Sequence, residues 1–442
     1  MKKNIFNLLA ICLFFIGGTK NVKAQYISLD DVNLTTQLRT SFPSCFNAMG
    51  QVDTTCAVLN NLTALEFQNI SNVSKLIHVF KSLDYLAIFL STNLNDLPKL
   101  PPTLKTLKII NTQLLNSFKI VPLPPDLKYL TISNCLIDTL PDLSNTKIKQ
   151  LTCTQNYGLT SLPKLPATLD TILCQENKIS DISTLKNSAV KLLSCYENNI
   201  KDLSNLPNTL TYLDASKNHL SIIDQLPNSI EEMYISNNLY LYRMANLPAS
   251  LKTLDARSSS LAYLDDLPQN VEDLYFSGTR LMDLPELESK TKLYNLDIGA
   301  TYVRCLPKLP SGLSILNLNG SPVNCLPNWP SGLQVYQNSQ IIPFRSSMIC
   351  NSPCVLSNEA TTEKDRISPN PTQGLVNLTF KAPTQEVQLE VINAVGQSIK
   401  RIPVPDSTSS FSLDFSDQLP GTYLIVFRTK GEITSRNFIV LN

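Results

Sequence analysis

The sequence predicts a repeat solenoid with a parallel β-sheet on its concave side, an extended or polyproline-like convex side, and a small C-terminal β-sandwich. Three observations support this fold class. A short apolar phrase recurs between residues 62 and 343 with a spacing of 20 to 23 residues. A Leu-Pro pair recurs in the second half of many phrases, and short alternating runs replace the phrase over residues 367–442.

Each phrase places apolar or small residues at the same five positions, counted from 0 at its first residue. In one phrase these are Leu210, Leu213, Ala215, Asn218 and Leu220, at positions 0, 3, 5, 8 and 10. The roughly fourteen phrases begin at residues 62, 83, 104, 127, 148, 169, 190, 210, 230, 251, 271, 293, 313 and 333. Because side chains alternate along a strand, we expect these positions to point inward and to stack on the next coil.

Position 8 and the Leu-Pro pairs shape the rest of each coil. Asparagine occupies position 8 in five consecutive phrases, at Asn156, Asn177, Asn198, Asn218 and Asn238. An amide both donates and accepts hydrogen bonds, so it can satisfy backbone groups of the turn. Proline fixes φ and lacks an N–H, so Leu-Pro segments such as residues 162–166 are expected to be extended and not helical.

This register resembles the leucine-rich repeat family, whose signature is L-x-x-L-x-L-x-x-N/C-x-L. The resemblance covers nearly two thirds of the chain, from residue 62 to residue 343. The short repeats with Leu-Pro segments are similar to the bacterial subclass found in secreted effector and surface proteins. The resemblance implies parallel strands on the concave side and extended segments on the convex side.

Residues 1–24 are expected to form a secretory signal peptide. Two lysines give a basic start, an apolar run follows at residues 5–16, and residues 22–24 are typical of a cleavage site. A membrane anchor is one alternative, although the run is short for a membrane span, and lipidation at Cys12 is another. Cleavage removes four lysines from a chain of net charge +1, which leaves 1 − 4 = −3 and does not favour a nucleic-acid partner.

Cysteines flank the repeats on both sides. The N-terminal segment, residues 25–61, contains Cys45 and Cys56, whereas Cys350 and Cys354 follow the last repeat. An open solenoid end exposes apolar coil edges and needs a cap, and a disulfide can staple a cap in an oxidising compartment. We therefore expect a Cys45–Cys56 and a Cys350–Cys354 disulfide, with free thiols as the alternative at each end.

Six further cysteines lie within the repeats, and Cys135 replaces the asparagine at position 8 of its repeat. Cys153, Cys174 and Cys195 occupy position 5 of three consecutive coils, so they are expected to form a buried ladder of small apolar side chains. Cys305 and Cys325 share position 12 of adjacent coils, and a bridge and two free thiols are equally favoured there. Neither the cysteines nor the two histidines are spaced as metal ligands, so neither a metal nor a cofactor is expected.

The end of the chain has a different character. Residues 344–366 are expected to form a C-terminal cap and linker, because the repeat is lost and residues 357–365 are polar without an apolar period. Residues 367–442 contain short alternating runs separated by turn residues, which predicts a small β-sandwich. Its landmarks are Pro369, Asn370, Pro371, Gly374, Gly396, Gly421, Tyr423 and Arg436.

The landmarks and their position at the C-terminus resemble the type A sorting domain of the type IX secretion system of Bacteroidetes. The resemblance implies recognition by the type IX secretion machinery and export across the outer membrane. Removal of the tail would follow, and then release or attachment to surface lipopolysaccharide. The protein is therefore expected to be secreted and extracellular, or attached to the outer face of the outer membrane. A generic immunoglobulin-like module is the alternative for this segment.

Positions 2, 4 and 6 of each repeat are expected to face outward on the concave side. In the repeats that begin at residues 190 to 293 they are rich in tyrosine and acidic residues. The candidate ligand-binding residues are Tyr196, Tyr212, Asp214, Glu232, Tyr234, Asp255, Arg257, Asp273, Tyr275 and Asp297. Tyrosine combines a large apolar face with a polar tip and suits a binding surface, although it also simply favours strands. The first repeats are more apolar, with Tyr85, Phe89 and Ile110.

These patterns predict a binding protein and not an enzyme. The sequence contains two histidines and none of the common hydrolase, zinc-protease or phosphate-loop motifs. The favoured hypothesis is recognition of another protein through the concave face, which predicts a contribution from the acids and dependence on salt. The alternative is polysaccharide binding, in which the tyrosines stack on sugar rings and the acids matter little.

Overall fold

The computed structural model describes residues 24–73, 75–91, 94, 100–112, 123–350, 366–368, 374–379, 387–392, 398–408, 410–418, 421–428 and 433–440. The chain forms two compact units, Met1–Cys354 and Val355–Asn442. The expected signal peptide lies outside the described residues, apart from its last residue.

The first unit consists mainly of short strands. Its described helices are α1 (Val32–Ser41), α2 (Ala57–Asn60) and α3 (Leu76–Val79), with 3₁₀ turns at Pro43–Cys45, Ser183–Leu185 and Ser346–Met348. Its strands are β1 (Tyr26–Ile27), β2 (Val52–Asp53), β3 (Ala64–Gln68), β4 (Tyr85–Phe89), β5 (Thr106–Ile110), β6 (Tyr129–Ser133), β7 (Gln150–Thr152), β8 (Thr171–Leu173), β9 (Leu192–Ser194), β10 (Tyr212–Asp214), β11 (Ile222–Ile223), β12 (Glu232–Tyr234), β13 (Arg243–Met244), β14 (Thr253–Asp255), β15 (Tyr263–Leu264), β16 (Asp273–Tyr275), β17 (Asn295–Asp297), β18 (Ile315–Asn317), β19 (Gln334–Gln337) and β20 (Gln340–Ile342).

One large sheet runs through the described part of this unit. It contains β3 to β10, then β12, β14 and β16 to β19 in parallel, and β20 pairs antiparallel with β19 at its end. Equal positions of successive repeats pair with each other, as Leu213 does with Met233. The inward side chains Leu210, Leu213 and Ala215 have no exposed surface. The repeat register therefore forms one continuous core, as the sequence predicts.

The asparagines at position 8 satisfy backbone groups of two coils, as predicted. The Nδ2 of Asn198 donates to the carbonyl of Cys195 in its own coil (3.1 Å) and to that of Cys174 in the preceding coil (2.9 Å). Its Oδ1 accepts a hydrogen bond from the Ile179 N–H at 2.9 Å. In a later coil the hydroxyl of Ser259 donates to one carbonyl of its own coil. The asparagine ladder therefore links the middle coils more strongly.

A left-handed residue at position 7 turns the chain after most strands. The φ angle is 57° at Glu176 and 51° at Ala300, and Gly278 and Gly320 occupy the same position with φ of 73° and 72°. This backbone costs a residue other than glycine about 1–2 kcal/mol. The stacking of coils imposes it, because the Glu176 N–H donates to the carbonyl of Tyr196 in the next coil at 2.9 Å.

The convex side is largely extended, as the Leu-Pro segments predict. The exceptions are α3 in the first repeat and the 3₁₀ turn Ser183–Leu185 in the repeat that begins at residue 169. Strands β11, β13 and β15 also form a second, three-stranded parallel sheet. The sequence does not predict this sheet, because strands of two residues are too short to show an alternating pattern.

Asp31 ties the N-terminal cap to the first repeat. Its Oδ1 accepts a hydrogen bond from the Leu34 N–H at 2.7 Å and caps α1. Its Oδ2 accepts from the N–H and the hydroxyl of Ser71 and from the Asn72 N–H. Burial acts to raise the pKa of Asp31, but together these hydrogen bonds lower the pKa below its usual value.

The cysteines fall into bonded and buried classes. Cys45 is joined to Cys56 in the N-terminal cap, with Cα atoms 5.6 Å apart. Cys305 is also disulfide-bonded. The free, buried thiols among the described residues are Cys135, Cys153, Cys174 and Cys195. The position-5 cysteines therefore fill the core as reduced side chains, as the small-hydrophobe interpretation expects.

The expected Cys350–Cys354 disulfide is wrong. Cys350 is joined to Cys325, with Cα atoms 5.1 Å apart, so Cys325 does not bridge to the neighbouring coil either. The cause is backbone pairing: the Leu326 N–H donates to the Met348 carbonyl (2.8 Å), and the Cys350 N–H donates to the Leu326 carbonyl (2.9 Å). The chain after β20 thus returns alongside Cys325, while Cys354 lies outside the described residues.

The second unit is a two-sheet β-structure with its own core. Its strands are β21 (Arg366–Ser368), β22 (Leu375–Thr379), β23 (Gln388–Ile392), β24 (Ser398–Pro403), β25 (Ser410–Asp414), β26 (Gly421–Arg428) and β27 (Ile433–Val440). The sheet orders are β21-β22-β25 and β24-β23-β26-β27. Val376, Leu389, Phe415 and Ile425 are completely buried between them. The sequence runs did not include β24, whose side chains are almost all exposed and lack an apolar alternation.

Candidate binding surface

The candidate residues form one strip on the concave face, here called the concave strip. It comprises the outward side chains of β10, β12, β14, β16 and β17, with Tyr196 and Arg257 from the turns after β9 and β14. In-register pairing places equal positions in rows across the sheet, about 4.8 Å apart. The row at position 4 is Asp214, Tyr234, Asp255, Tyr275 and Asp297. Carboxylates and phenols therefore alternate along the strip.

Tyr212, Glu232 and Tyr234 form the first cluster of the strip. The ring centroids of Tyr212 and Tyr234 are 5.5 Å apart, and the Tyr234 hydroxyl donates to Glu232 Oε2 at 3.2 Å. Burial, and then the negative charge of Glu232, raise the pKa of Tyr234 to about 12. The phenol therefore keeps its proton at neutral pH and remains a hydrogen-bond donor.

Arg257, Asp255 and Tyr275 form the second cluster, with Arg257 in contact with both of the others. Its Nε donates to Asp255 Oδ1 at 3.0 Å and its Nη2 to Oδ2 at 2.6 Å. The guanidinium also lies over the Tyr275 ring, 5.2 Å from the centroid. Asp255 is only 4% exposed. The sequence placed Asp255 among the ligand-binding acids, but its carboxylate is already neutralised and covered.

The aspartates of the position-4 row also hold the turn that follows each strand. Asp214 Oδ1 accepts a hydrogen bond from the Ser216 N–H, and Asp297 Oδ1 accepts one from the Gly299 N–H, both at 3.1 Å. Asp255 accepts the Arg257 N–H in the same way at 3.0 Å. One oxygen of each carboxylate therefore serves the fold, and the sequence reasoning missed this role.

Two further residues complete the strip. Lys217 lies over the ring of Tyr196, with its Nζ 4.8 Å from the centroid, and Asn295 donates to the Tyr275 hydroxyl at 3.1 Å. The sequence analysis overlooked both. Asn295 shares position 2 with Glu232 and Asp273, so the register alone could have identified it, whereas Lys217 reaches in from position 7 at the rim.

The first coils of the concave face carry a separate set of contacts. The Tyr85 hydroxyl donates to Glu66 at 3.1 Å, and Lys108 Nζ lies 5.5 Å from the centroid of the Tyr85 ring. Phe89 and Ile110 are half-buried beside them. This end of the face is therefore more apolar than the concave strip, as the sequence suggests.

Solved structures of bacterial repeat proteins resemble the chain. An internalin, InlF of Listeria monocytogenes, is 17% identical with a TM-score of 0.50 and covers 70% of this chain and 95% of its own. The first unit is a leucine-rich repeat solenoid. YopM of Yersinia enterocolitica is 26% identical (TM-score 0.49, covering 64% and 67%), and the functional domain of InlJ of Listeria monocytogenes is 19% identical (TM-score 0.44, covering 95% and 100%). No curated protein matches the sequence.

Residues 366–441 match the family described as the secretion system C-terminal sorting domain. This tail directs type IX secretion to the extracellular or cell-surface space. Of its landmarks, Gly374 lies just before β22, Gly421 and Tyr423 on β26, and Arg436 on β27, whereas Pro369, Asn370, Pro371 and Gly396 lie outside the described residues. In the described part of the chain, each helix is too short or too polar to cross a bilayer.

Proposed function

We propose that this protein is an exported, non-enzymatic binding protein that recognises another protein through the concave strip. The alternating row of Asp214, Tyr234, Asp255, Tyr275 and Asp297 carries the proposal. Parallel strands hold these side chains in fixed rows, so little conformational entropy is lost when a partner binds. Tyrosine is enriched in protein-binding surfaces for the same reason. The carboxylates of Asp214 and Glu232, which lie beside the phenols, add charge selectivity and faster association.

Polysaccharide binding is the less favoured alternative, because the ring faces that a sugar needs are partly covered. Lys217 lies over Tyr196 and Arg257 lies over Tyr275. Tyr212 and Tyr234 pack against each other at 5.5 Å. The tyrosines of the strip are only half-exposed.

The remaining organisation of the chain is part of the proposal. Residues 1–24 would be removed on export, residues 25–61 would cap the solenoid at residues 62–343, and residues 344–366 would close and link it. The sorting domain at residues 367–442 would engage the type IX machinery and then be removed. The mature solenoid would be released or attached to surface lipopolysaccharide.

The proposal is tested by binding of the purified full chain to intact partner cells and to a glycan array. Combined Asp214→Ala and Tyr234→Ala changes should abolish saturable binding to a protein on cells, and binding of the wild type should fall as salt rises. The control is Tyr302→Ala, which removes a tyrosine that is 61% exposed but lies off the strip. Glycan binding that survives Asp214→Ala but not Tyr234→Ala would contradict the proposal and support the polysaccharide alternative.

A further inference from the structure

The concave strip contains the same side-chain arrangement twice, two coils apart. In the first copy, Asp214 pairs in register with Tyr234, and Glu232 precedes that tyrosine by two residues on β12. In the second copy, Asp255 pairs in register with Tyr275, and Asp273 precedes it by two residues on β16. Each copy thus offers an aspartate from one coil, and a tyrosine with an acid from the next.

The two copies differ two residues before the aspartate, Tyr212 against Thr253, and in the acid, Glu232 against Asp273. The difference that bears on a guanidinium is the second residue after the aspartate. In the second copy this residue is Arg257, whose guanidinium binds both oxygens of Asp255 and lies over the Tyr275 ring. In the first copy it is Ser216, whose side chain ends at the β-hydroxyl. Both residues donate their backbone N–H to their own aspartate, at 3.1 Å from Ser216 and 3.0 Å from Arg257. The local backbone is therefore alike in the two copies.

The two aspartates also differ in burial. Asp255 is 4% exposed beneath Arg257, whereas Asp214 is half-buried and Glu232 is exposed. The first copy carries two negative charges, from Asp214 and Glu232. A planar guanidinium matches a carboxylate through two hydrogen bonds and stacks on an aromatic ring, which a lysine ammonium does not do as well. The second copy shows that the arrangement holds a guanidinium when one is available.

We propose that the first copy, formed by Asp214, Glu232 and Tyr234, is a receptor site for an arginine side chain of the protein partner. The partner's guanidinium lies against the Asp214 carboxylate, as Arg257 lies against Asp255, and beside the Tyr234 ring, which also packs against Tyr212 at 5.5 Å. This inference deepens the proposed function and rests on it, because it names the chemistry that the partner presents. The partner is thus an arginine-bearing protein segment, and Ser216 is the residue that keeps the site open.

The test uses a short peptide with one arginine between glycines, its lysine counterpart, and the purified full chain, with binding followed by saturation-transfer NMR. The arginine peptide should bind, and the lysine peptide should bind about tenfold more weakly. Ser216→Arg should abolish binding by supplying the guanidinium from the chain itself. Arg257→Ser should open a second site and increase the bound signal. Asp214→Asn should weaken binding about tenfold.

Each outcome bears on the proposal. Equal binding of the two peptides, or binding that neither Ser216→Arg nor Arg257→Ser alters, would overturn it. If circular dichroism shows that Ser216→Arg does not fold, the other two variants test the proposal. Arg257→Ser should increase binding of the arginine peptide, and Asp214→Asn should weaken it. Loss of cell binding on Tyr234→Ala without any effect of Ser216→Arg would leave protein recognition standing and refute the arginine site. Binding of the arginine peptide without a saturable partner on cells would support the arginine site and refute recognition of a cell-surface protein.

Discussion

Replacement of Asn198 by alanine should destabilise the solenoid by removing a link between two coils. The amide donates to the Cys174 and Cys195 carbonyls and accepts the Ile179 N–H. The two carbonyls keep a second donor, because Asn177 also donates to Cys174 and Asn218 also donates to Cys195. The buried group left without a partner is therefore the Ile179 N–H.

The size of the effect follows from this count. A buried polar group without a partner costs about 1–3 kcal/mol, and each lost hydrogen bond to a carbonyl that keeps another donor costs about 0.5 kcal/mol. Asn198→Ala should therefore lower the free energy of unfolding by about 2–4 kcal/mol. Asn198→Ser should cost less, since the hydroxyl of Ser259 bonds one carbonyl of its own coil from the same position.

Urea denaturation of the full chain, followed by circular dichroism, measures this change. Asn208→Ala is the control, because Asn208 is an exposed turn residue, and it should change stability by less than about 0.5 kcal/mol. Replacing both Asn177 and Asn198 by alanine should lower the free energy of unfolding by more than the sum of the single replacements. The double replacement removes both amide donors from the Cys174 carbonyl. A loss below about 0.5 kcal/mol for Asn198→Ala, or strict additivity of the pair, would refute the reasoning.

Three further predictions concern the turns, the far end and the cap. Ala300→Gly should raise the free energy of unfolding by about 0.5–1 kcal/mol, because φ at Ala300 is 51° and glycine adopts it without strain; a destabilised variant in urea would contradict this. Cys325→Ser and Cys350→Ser should each cost about 3 kcal/mol, and the double change no more, since both open the same disulfide; additive losses in thermal melts would refute the pairing. Asp31→Asn should destabilise the chain at neutral pH. The pKa of Asp31 is lowered by hydrogen bonds that outweigh burial, so its contribution is present above the unfolded value of 3.8 and is lost as pH falls through the lower folded value. The Tm difference between wild type and Asp31→Asn should therefore shrink below about pH 4, and a pH-independent difference would refute the role of the charge.

The repeat register could be predicted from the sequence because every coil meets the same environment, the coil before it and the coil after it. The stacking of equivalent coils alone explains the inward positions of Leu210, Leu213 and Ala215. It also explains the hydrogen bonds of Asn198. The tail was also predictable, since its strands alternate and its order of glycines is specific. Residues that act only through their neighbours in the next coil, such as Lys217 over Tyr196, were not foreseen.

The sequence by itself determined the fold class, the stacking register and the outward rows of the concave strip, because all three depend on local period. The tertiary structure alone decided that Cys350 pairs with Cys325, that position 7 is left-handed at Ala300, and that Arg257 covers Asp255. The first two depend on backbone hydrogen bonds between segments that are distant in the sequence, from Cys350 to Leu326 and from Ala300 to Asn319, and spacing along the chain does not encode that proximity. The third depends on the side-chain conformation of Arg257, which folds back on Asp255 two residues earlier.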